Sequence, residues 1–188
     1  EGIPEIPAEL EAQVARYQNA RSAHHFDWHP TRRELLIGTR FGDTTQIHVV
    51  TQPGGARRQL TFFPEPVRDA AFVPASGGAS LVLLKDVGGS EMYQIFRTDL
   101  RDGSTTLLTD GESRNGAATF NHAGDRLAFT STARNGKDYD IYLMDPADPA
   151  SRSAVAEREG AWSVLDWSPD DTALLLRRYV SVEHSELH

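Results

Sequence analysis

Four aromatic residues recur at nearly constant spacing along this chain of 188 residues. Trp28, Phe72, Phe120 and Trp167 lie 44, 48 and 47 residues apart, and each closes a short segment that reads as a β-strand. A repeat of this length limits the fold more than composition does, because each copy must be one structural unit that stacks on the next. We therefore expect four related units in sequence, with these four equivalent aromatic residues largely buried between neighbouring units.

The repeat extends beyond the aromatic residue of each unit. A turn and an apolar strand follow it, and a third strand begins at Gln46, Gln94 or Asp140. A fourth strand ends near Thr61 in one copy and Thr109 in the next. Four strands in roughly 45 residues are typical of a β-propeller blade. A solenoid is the weaker alternative, because solenoid repeats are shorter or helical.

The predicted fold class is all-β: a propeller of about three and a half four-stranded blades, with one short helix before it. The predicted blades are 21–61, 67–109, 115–156 and an incomplete 162–188. Residues 1–20 are predicted to be an extension whose helix, near 8–18, packs on the propeller. A blade cut at its third strand leaves open edges, which proteins avoid, so we expect the natural chain to continue past His188.

Composition excludes several classes of function. A net charge of −8 and a sequence pI of about 5.3 argue against a nucleic-acid surface. No apolar run reaches membrane-spanning length. The chain has no cysteine, so it has no thiolate nucleophile and no cysteine-ligated zinc. The first residue is Glu, which removal of a leader or cutting from a longer chain would explain. We expect a periplasmic or secreted protein, with the cytoplasm as the alternative.

The turn after each aromatic residue, followed by Leu-Ala-Phe or Leu-Leu-Ile, resembles the propeller repeat of TolB and of the prolyl oligopeptidase family. The segments EGIPEIPAEL, RYQNARSAHHFDWHP, LLIGTRFGDTTQIHVV and GGARRQLTFF are similar to the N-terminal region of bacterial serine peptidases of that family, of the dipeptidyl and acylaminoacyl peptidase type. The resemblance implies a propeller that caps a C-terminal α/β-hydrolase domain, admits short peptides and contributes some substrate contacts.

The catalytic signature of that family is absent from this sequence. Its nucleophile elbow is Gly-x-Ser-x-Gly between a strand and a helix. The nearest string, Gly111-Glu112-Ser113-Arg114-Asn115, ends in Asn and is interpreted as a link between blades. Five histidines show no spacing that suggests a triad and are predicted to lie on the surface: His24, His25, His29, His48 and His122.

No metal or cofactor is predicted. His184 and His188 flank Glu186, but on a strand the two histidines would be about 13 Å apart, too far to bind one ion. No glycine-rich loop opens a helix, so the sequence offers no phosphate cradle.

Candidate substrate-binding residues lie in loops that share one face of a propeller, those between strands two and three and those between blades. Arginine can bind a peptide carboxylate through two hydrogen bonds, and glutamate can bind a peptide amine. The alternative is that these charges pair with one another or with water. The loops also contain Phe41 and Glu112, and the candidates are Arg40, Glu65, Arg68, Arg114 and Arg134.

Three hypotheses of function remain. The first is the substrate-gating, non-catalytic propeller of a serine peptidase, whose partners would be the hydrolase domain of the same natural chain and short peptides. The second is a stand-alone TolB-like periplasmic propeller that binds proteins. The third is a propeller lyase or sugar-binding protein. The segments that contain Gly2–Pro7, Arg16–Asn19 and Thr39–Gly42 favour the first.

Overall fold

The structure is a computed structural model that describes residues 4–18, 22–116 and 118–188. Within these ranges the chain forms the helix α1, Ala8–Gln18, and fifteen strands. The strands are β1 Ala23–Trp28, β2 Leu35–Thr39, β3 Gln46–Val50, β4 Arg57–Gln59, β5 Val67–Phe72, β6 Ser80–Lys85, β7 Gln94–Asp99, β8 Thr105–Leu107, β9 Thr119–Phe120, β10 Leu127–Ser131, β11 Asp140–Asp145, β12 Asp148–Ala156, β13 Ala161–Trp167, β14 Leu174–Ser181 and β15 His184–Leu187.

The strands form four small antiparallel sheets, each built from strands consecutive in the chain. Blade one is β1–β4, blade two is β5–β8, blade three is β9–β12 and blade four is β13–β15. The predicted all-β propeller fold is confirmed, with three four-stranded blades, one three-stranded blade and a helix before them.

Three apolar cores hold the blades together, one between each pair of neighbours. Alternate residues of a strand point to opposite faces, so one strand contributes to two cores. Leu81 and Leu83 of β6 pack towards blade one, whereas Val82 between them packs towards blade three. Burial of one such side chain stabilises the fold by about 1.5–3 kcal/mol. The third core joins blades three and four through Ala128, Ile141, Val164 and Trp167.

The repeated aromatic residue packs against the preceding blade. Phe72 is 1% exposed and contacts the core that includes Leu36 and Ile47 of blade one, and Trp167 is also buried. The prediction of burial is wrong for Trp28, which is 63% exposed. Blade one is the first described blade, so no described blade lies on the side that Trp28 faces. Phe120 is half-buried.

The helix lies where it was predicted, but the expected packing on the propeller is wrong. Leu10, Val14 and Tyr17 are all exposed, and Tyr17 is 84% exposed. A helix that packs on a globular protein usually buries an apolar face at least about 100° wide. The three apolar side chains of α1 form a narrower stripe, so this helix has little apolar surface to bury against the propeller.

In blades one and two, a buried glutamine at the start of the third strand is hydrogen-bonded to the segment that follows the fourth strand of the same blade. Gln94 Oε1 accepts hydrogen bonds from Thr109 Oγ1 at 2.6 Å and the Gly111 amide at 3.0 Å. Gln46 Oε1 accepts the matching bond from Thr61 Oγ1 at 2.8 Å. These bonds set the path of the links that lead from one blade to the next.

The histidines divide between surface and interior. The predicted surface location is confirmed for His24, His25 and His122 and is wrong for His29 and His48. Nδ1 of His29 accepts hydrogen bonds from the amides of Thr31 and Arg32, both at 3.1 Å, and so closes the turn after β1. Burial lowers the pKa of both His29 and His48.

Candidate functional site

One side of the propeller carries the loops between second and third strands together with the links between blades. We call it the loop face. These two kinds of segment meet in the structure: the Gly88 amide donates to Glu65 Oε1 at 3.0 Å, and the Tyr139 amide donates to the Gly160 carbonyl at 3.0 Å. Arg40, Glu65, Arg114 and Arg134 lie in such segments. The predicted loop position is wrong for Arg68, which is the second residue of β5, because strand pairing in blade two already begins at Val67.

Glu65 supports a loop. Its Oε2 accepts a hydrogen bond from Lys85 Nζ at 3.0 Å while its Oε1 accepts the bond from Gly88. The Gly88 amide and the Lys85 ammonium lower the pKa of Glu65. Both acceptor oxygens are occupied within the chain, so the structure does not present Glu65 as a free site for a peptide amine.

Arg134 is held in a similar way. It donates to Asp140 from Nε at 2.7 Å and from the terminal guanidinium nitrogen at 3.0 Å. Burial alone would raise the pKa of Asp140, but the hydrogen bonds from Arg134 and from the Arg158 amide hold it below its usual value. This bidentate pair fixes the start of β11 in the way that Gln94 fixes β7.

Arg40 contacts the end of the helix. Its guanidinium donates to the Gln18 carbonyl at 2.5 Å. The last carbonyls of a helix lack partners within the helix, and a cation is favourable there. This contact ties α1 to blade one.

Arg68 and Arg114 come together around Tyr93, and we call these three residues the arginine–tyrosine cluster. The guanidinium carbons lie 4.9 and 5.8 Å from the centre of the Tyr93 ring. Arg68 also donates to the Tyr93 hydroxyl at 3.3 Å. Two of the five predicted residues therefore form one site, and a residue that the sequence analysis did not select joins them.

Two open clefts adjoin the cluster. The clefts share Arg68 and Tyr93, so the cluster separates them. The first cleft, of about 540 Å³, is lined by Arg68, Asp69, Leu84, Tyr93, Arg114, Asn115, Gly116 and Tyr139. The second, of about 480 Å³, is lined by His24, Phe26, Thr45, Pro66, Val67, Arg68, Asp86, Gly89, Glu91 and Tyr93.

The loop between β6 and β7 borders the second cleft in a constrained conformation. Glu91 has a left-handed backbone with φ of 58°, which costs a residue other than glycine about 1 kcal/mol or more. Its amide donates to Asp86 Oδ2 at 2.9 Å, and its carboxylate lies 3.7 Å from the Arg114 guanidinium. The loop therefore brings an acidic side chain to the cluster.

Asn115 forms a buried part of the wall of the first cleft. It is 2% exposed, and its Nδ2 donates to the carbonyls of Tyr93 at 2.9 Å and Ser113 at 3.0 Å. Its Oδ1 has no hydrogen-bond partner among the described residues. An acceptor left without a donor in the interior is costly and uncommon in folded proteins.

The repeat alignment contains a signal for Tyr93 that our selection of charged residues did not use. Tyr93 immediately precedes Gln94, the first residue of the third strand in blade two. The same position is Thr45 in blade one and Tyr139 in blade three, and both also line the clefts. Asn115 offers no comparable signal, because its role depends on contacts across 22 residues of sequence.

No described group offers an activated nucleophile. His122 Nδ1 lies 2.8 Å from Asp171 Oδ1, but no serine hydroxyl hydrogen-bonds to a histidine ring in the described part of the chain. The string from Gly111 to Asn115 links two blades, as predicted, and contains no helix. Among the residues described, no set of three or more His, Asp or Glu side chains is placed to hold a metal ion.

Comparison with known proteins supports the fold. No protein-family model matches the sequence. Among solved structures, the chain is similar to TolB from Acinetobacter baumannii, with a TM-score of 0.69 and 18% identity over 89% of this chain and 40% of that chain. It is also similar to a prolyl endopeptidase, with a TM-score of 0.68 and 11% identity over 94% of this chain and 29% of that chain.

A third similar structure is an oligogalacturonate lyase from Vibrio parahaemolyticus, with a TM-score of 0.63 and 11% identity over 82% of this chain and 46% of that chain. At these identities the likeness shows the fold, a β-propeller like those found in TolB and prolyl endopeptidases. The chain spans less than half the length of each of these proteins. No helix in the described ranges combines the length and apolarity needed to cross a membrane.

Proposed function

We propose that this chain is the substrate-gating, non-catalytic propeller of a serine peptidase of the prolyl oligopeptidase type that acts on short peptides. The observation that carries the proposal is the arginine–tyrosine cluster between two clefts of about 480 and 540 Å³ on the loop face. Clefts of this size suit a few peptide residues, and stacked guanidinium groups suit carboxylates and carbonyl oxygens.

Bond cleavage is assigned to an α/β-hydrolase domain of the same natural chain, which is the partner that the sequence resemblance implies. Acyl transfer needs a nucleophile beside a base and an oriented base beside a carboxylate. The contacts of the cluster serve binding, because guanidinium groups are permanently charged and do not exchange protons near neutral pH. A periplasmic or secreted location is part of the proposal.

The test is calorimetric titration of the purified chain with proline-containing tetrapeptides. We expect binding that is lost or weakened at least about tenfold in Arg68→Ala and Arg114→Ala, because each variant removes a charged hydrogen-bond donor. Arg58→Ala is the matched control, since Arg58 is an exposed arginine on the outer strand β4. Peptide affinity that is equal in all four proteins would contradict the proposal.

A second readout concerns chemistry. The chain alone should not hydrolyse dipeptidyl esters, and a serine-directed phosphonate should not label it. Labelling of a serine in the purified chain would show that the nucleophile lies in this propeller and would overturn the assignment of a non-catalytic role.

A stand-alone, protein-binding propeller is the second candidate, favoured by the TM-score of 0.69 with TolB over 89% of this chain. The two candidates differ in ligand size. A TolB-like role predicts affinity for a folded protein and none for tetrapeptides. The same titration therefore discriminates between them, and oligogalacturonate as a third ligand tests the lyase alternative.

A further inference from the structure

Each apolar core between blades uses the same positions of the repeat. The preceding blade contributes one residue of its second strand and one of its third, and these pairs are Leu36 with Ile47, Val82 with Ile95, and Ala128 with Ile141. All of these side chains are buried. The following blade contributes the repeated aromatic residue, Phe72, Phe120 or Trp167. A blade therefore has two different sides, one with the apolar pair and one with the aromatic residue.

Blade four exposes its apolar pair. Leu175 corresponds to Leu36, because each pairs with the residue that precedes the repeated aromatic residue. Leu187 corresponds to Ile47, because each pairs with the residue two positions further along the second strand. Leu175 is 42% exposed and Leu187 is 66% exposed, whereas Leu36 and Ile47 are fully buried. We call Leu175 and Leu187 the open leucine pair.

Blade one exposes its aromatic residue. An open cleft of about 380 Å³ beside Trp28 has walls that include Leu35 and Val50. In each described core, the apolar pair is covered by a blade whose first strand ends in the aromatic residue. Blade one is such a blade, and its aromatic residue is uncovered. The two ends of the series do not contact each other within one molecule, since Trp28 and Leu187 are both mostly exposed.

A hydrogen-bond acceptor accompanies the open leucine pair. In blade one, Asp27 Oδ1 accepts the Trp28 amide at 2.8 Å, and Asp27 Oδ2 accepts the Phe72 amide of blade two at 2.9 Å. Asp166 repeats the first of these bonds, since its Oδ1 accepts the Trp167 amide at 2.9 Å. No described residue donates a hydrogen bond to Asp166 Oδ2. Blade four therefore repeats both the apolar and the polar parts of the surface on which blade two packs.

We propose that blade one of a second copy of this chain packs on blade four, so that Trp28 of one copy lies against Leu175 and Leu187 of the other. The contact is head-to-tail, because it joins two different surfaces. Two copies of four blades each make this contact twice and close a ring of eight blades, within the range of about four to eight that propellers contain. The inference goes beyond the proposed function, since it concerns the ends of the blade series and not the loop face.

Sedimentation equilibrium of the purified chain tests the inference. At about 100 µM, a concentration that reveals a Kd in the micromolar range, we expect one species with twice the 20.8 kDa mass of the chain. Trp28→Asp and Leu175→Asp should each raise the Kd at least about tenfold, because each places a carboxylate in an apolar contact. Phe62→Asp is the matched control and should leave the Kd unchanged, since Phe62 is an exposed residue of the link between blades one and two and belongs to neither end.

A mixture of the two variants shows which surfaces meet. Trp28→Asp keeps the open leucine pair, and Leu175→Asp keeps the exposed Trp28, so one head-to-tail contact stays intact between the two proteins. We expect the variants to bind each other at least about tenfold more tightly than either binds itself, but less tightly than the unmodified chain binds itself. A symmetric contact of Trp28 with Trp28 would not be restored by mixing. Circular dichroism of each variant confirms folding.

The other outcomes overturn the inference. A monomer at the same concentration would leave the open leucine pair to a further blade of the same natural chain. Dimers that persist in both variants, or variants that mixing does not restore, would assign the contact to another surface. Species whose mass keeps growing with concentration would show a head-to-tail contact that does not close, and would overturn the two-copy ring.

Discussion

Gln94 shows how a single buried side chain organises the loop face. Its Oε1 accepts hydrogen bonds from Thr109 and Gly111, and its Nε2 donates to the Ser113 carbonyl at 2.6 Å. All of these partners lie in the link that leads to Arg114 and Asn115. A glutamine at the start of a strand therefore positions two residues of the cleft.

We expect Gln94→Leu to lower the free energy of unfolding by about 2–3 kcal/mol, because it leaves several buried polar groups unpaired. Gln13→Leu, on the exposed helix, is the control and should change stability by less than about 0.5 kcal/mol. Urea denaturation followed by fluorescence measures both. A loss below about 0.5 kcal/mol in Gln94→Leu would show that this network does not support the fold.

Acid should destabilise the protein through its buried histidines. Burial lowers the pKa of His29 and His48 in the folded state, so the unfolded chain binds more protons below about pH 6.5. The free energy of unfolding should therefore fall as the pH is lowered from about 7.5 to about 5.5. His48→Gln should flatten the slope. An unchanged slope would contradict this account.

The candidate residues show how far sequence reasoning extends at this scale. Loop position and charge selected Arg68 and Arg114, which the structure brings together. The same criteria selected Glu65 and Arg134, which are already paired inside the chain with Lys85 and Asp140. A sequence shows that a charge is present, but only the fold shows whether an intramolecular partner already holds it.

At the scale of elements, the regular spacing of strands made the blades predictable. Strand alternation and turns are local properties, so the starts of β3, β7 and β11 at Gln46, Gln94 and Asp140 follow from the sequence. Packing between elements is not local. The repeat correctly showed that Trp28 is equivalent to Phe72, but it did not show whether a neighbouring blade covers Trp28. Likewise, the apolar spacing of α1 did not show what the helix would contact.

A pair of truncations tests how the blades pack. Phe72→Ala should cost about 3–5 kcal/mol, because it leaves a cavity between blades one and two. Trp28→Ala should cost less than about 1 kcal/mol, because this side chain is mostly exposed. Thermal and chemical denaturation give the two values. Equal losses at the two positions would contradict the described packing direction.

At the scale of the whole molecule, three similar cores join four sheets, and the apolar faces at the two ends of the series are exposed. Trp28 lies on the free face of blade one, and Leu175, Tyr179 and Leu187 are exposed in blade four. The corresponding aromatic residues of blades two and four, Phe72 and Trp167, are buried against a neighbour. The loop face crosses the junction between blades two and three, so a ligand bound there would contact residues of both.

The central claim is that this loop face binds short peptides through the arginine–tyrosine cluster. The most direct test is a titration of isotope-labelled protein with a free-acid tetrapeptide, followed by nuclear magnetic resonance. The account predicts that the largest shifts of backbone and guanidinium signals map to Arg68, Tyr93, Arg114 and Asn115. Shifts confined to the exposed face around Trp28, or no shifts at millimolar peptide, would contradict it.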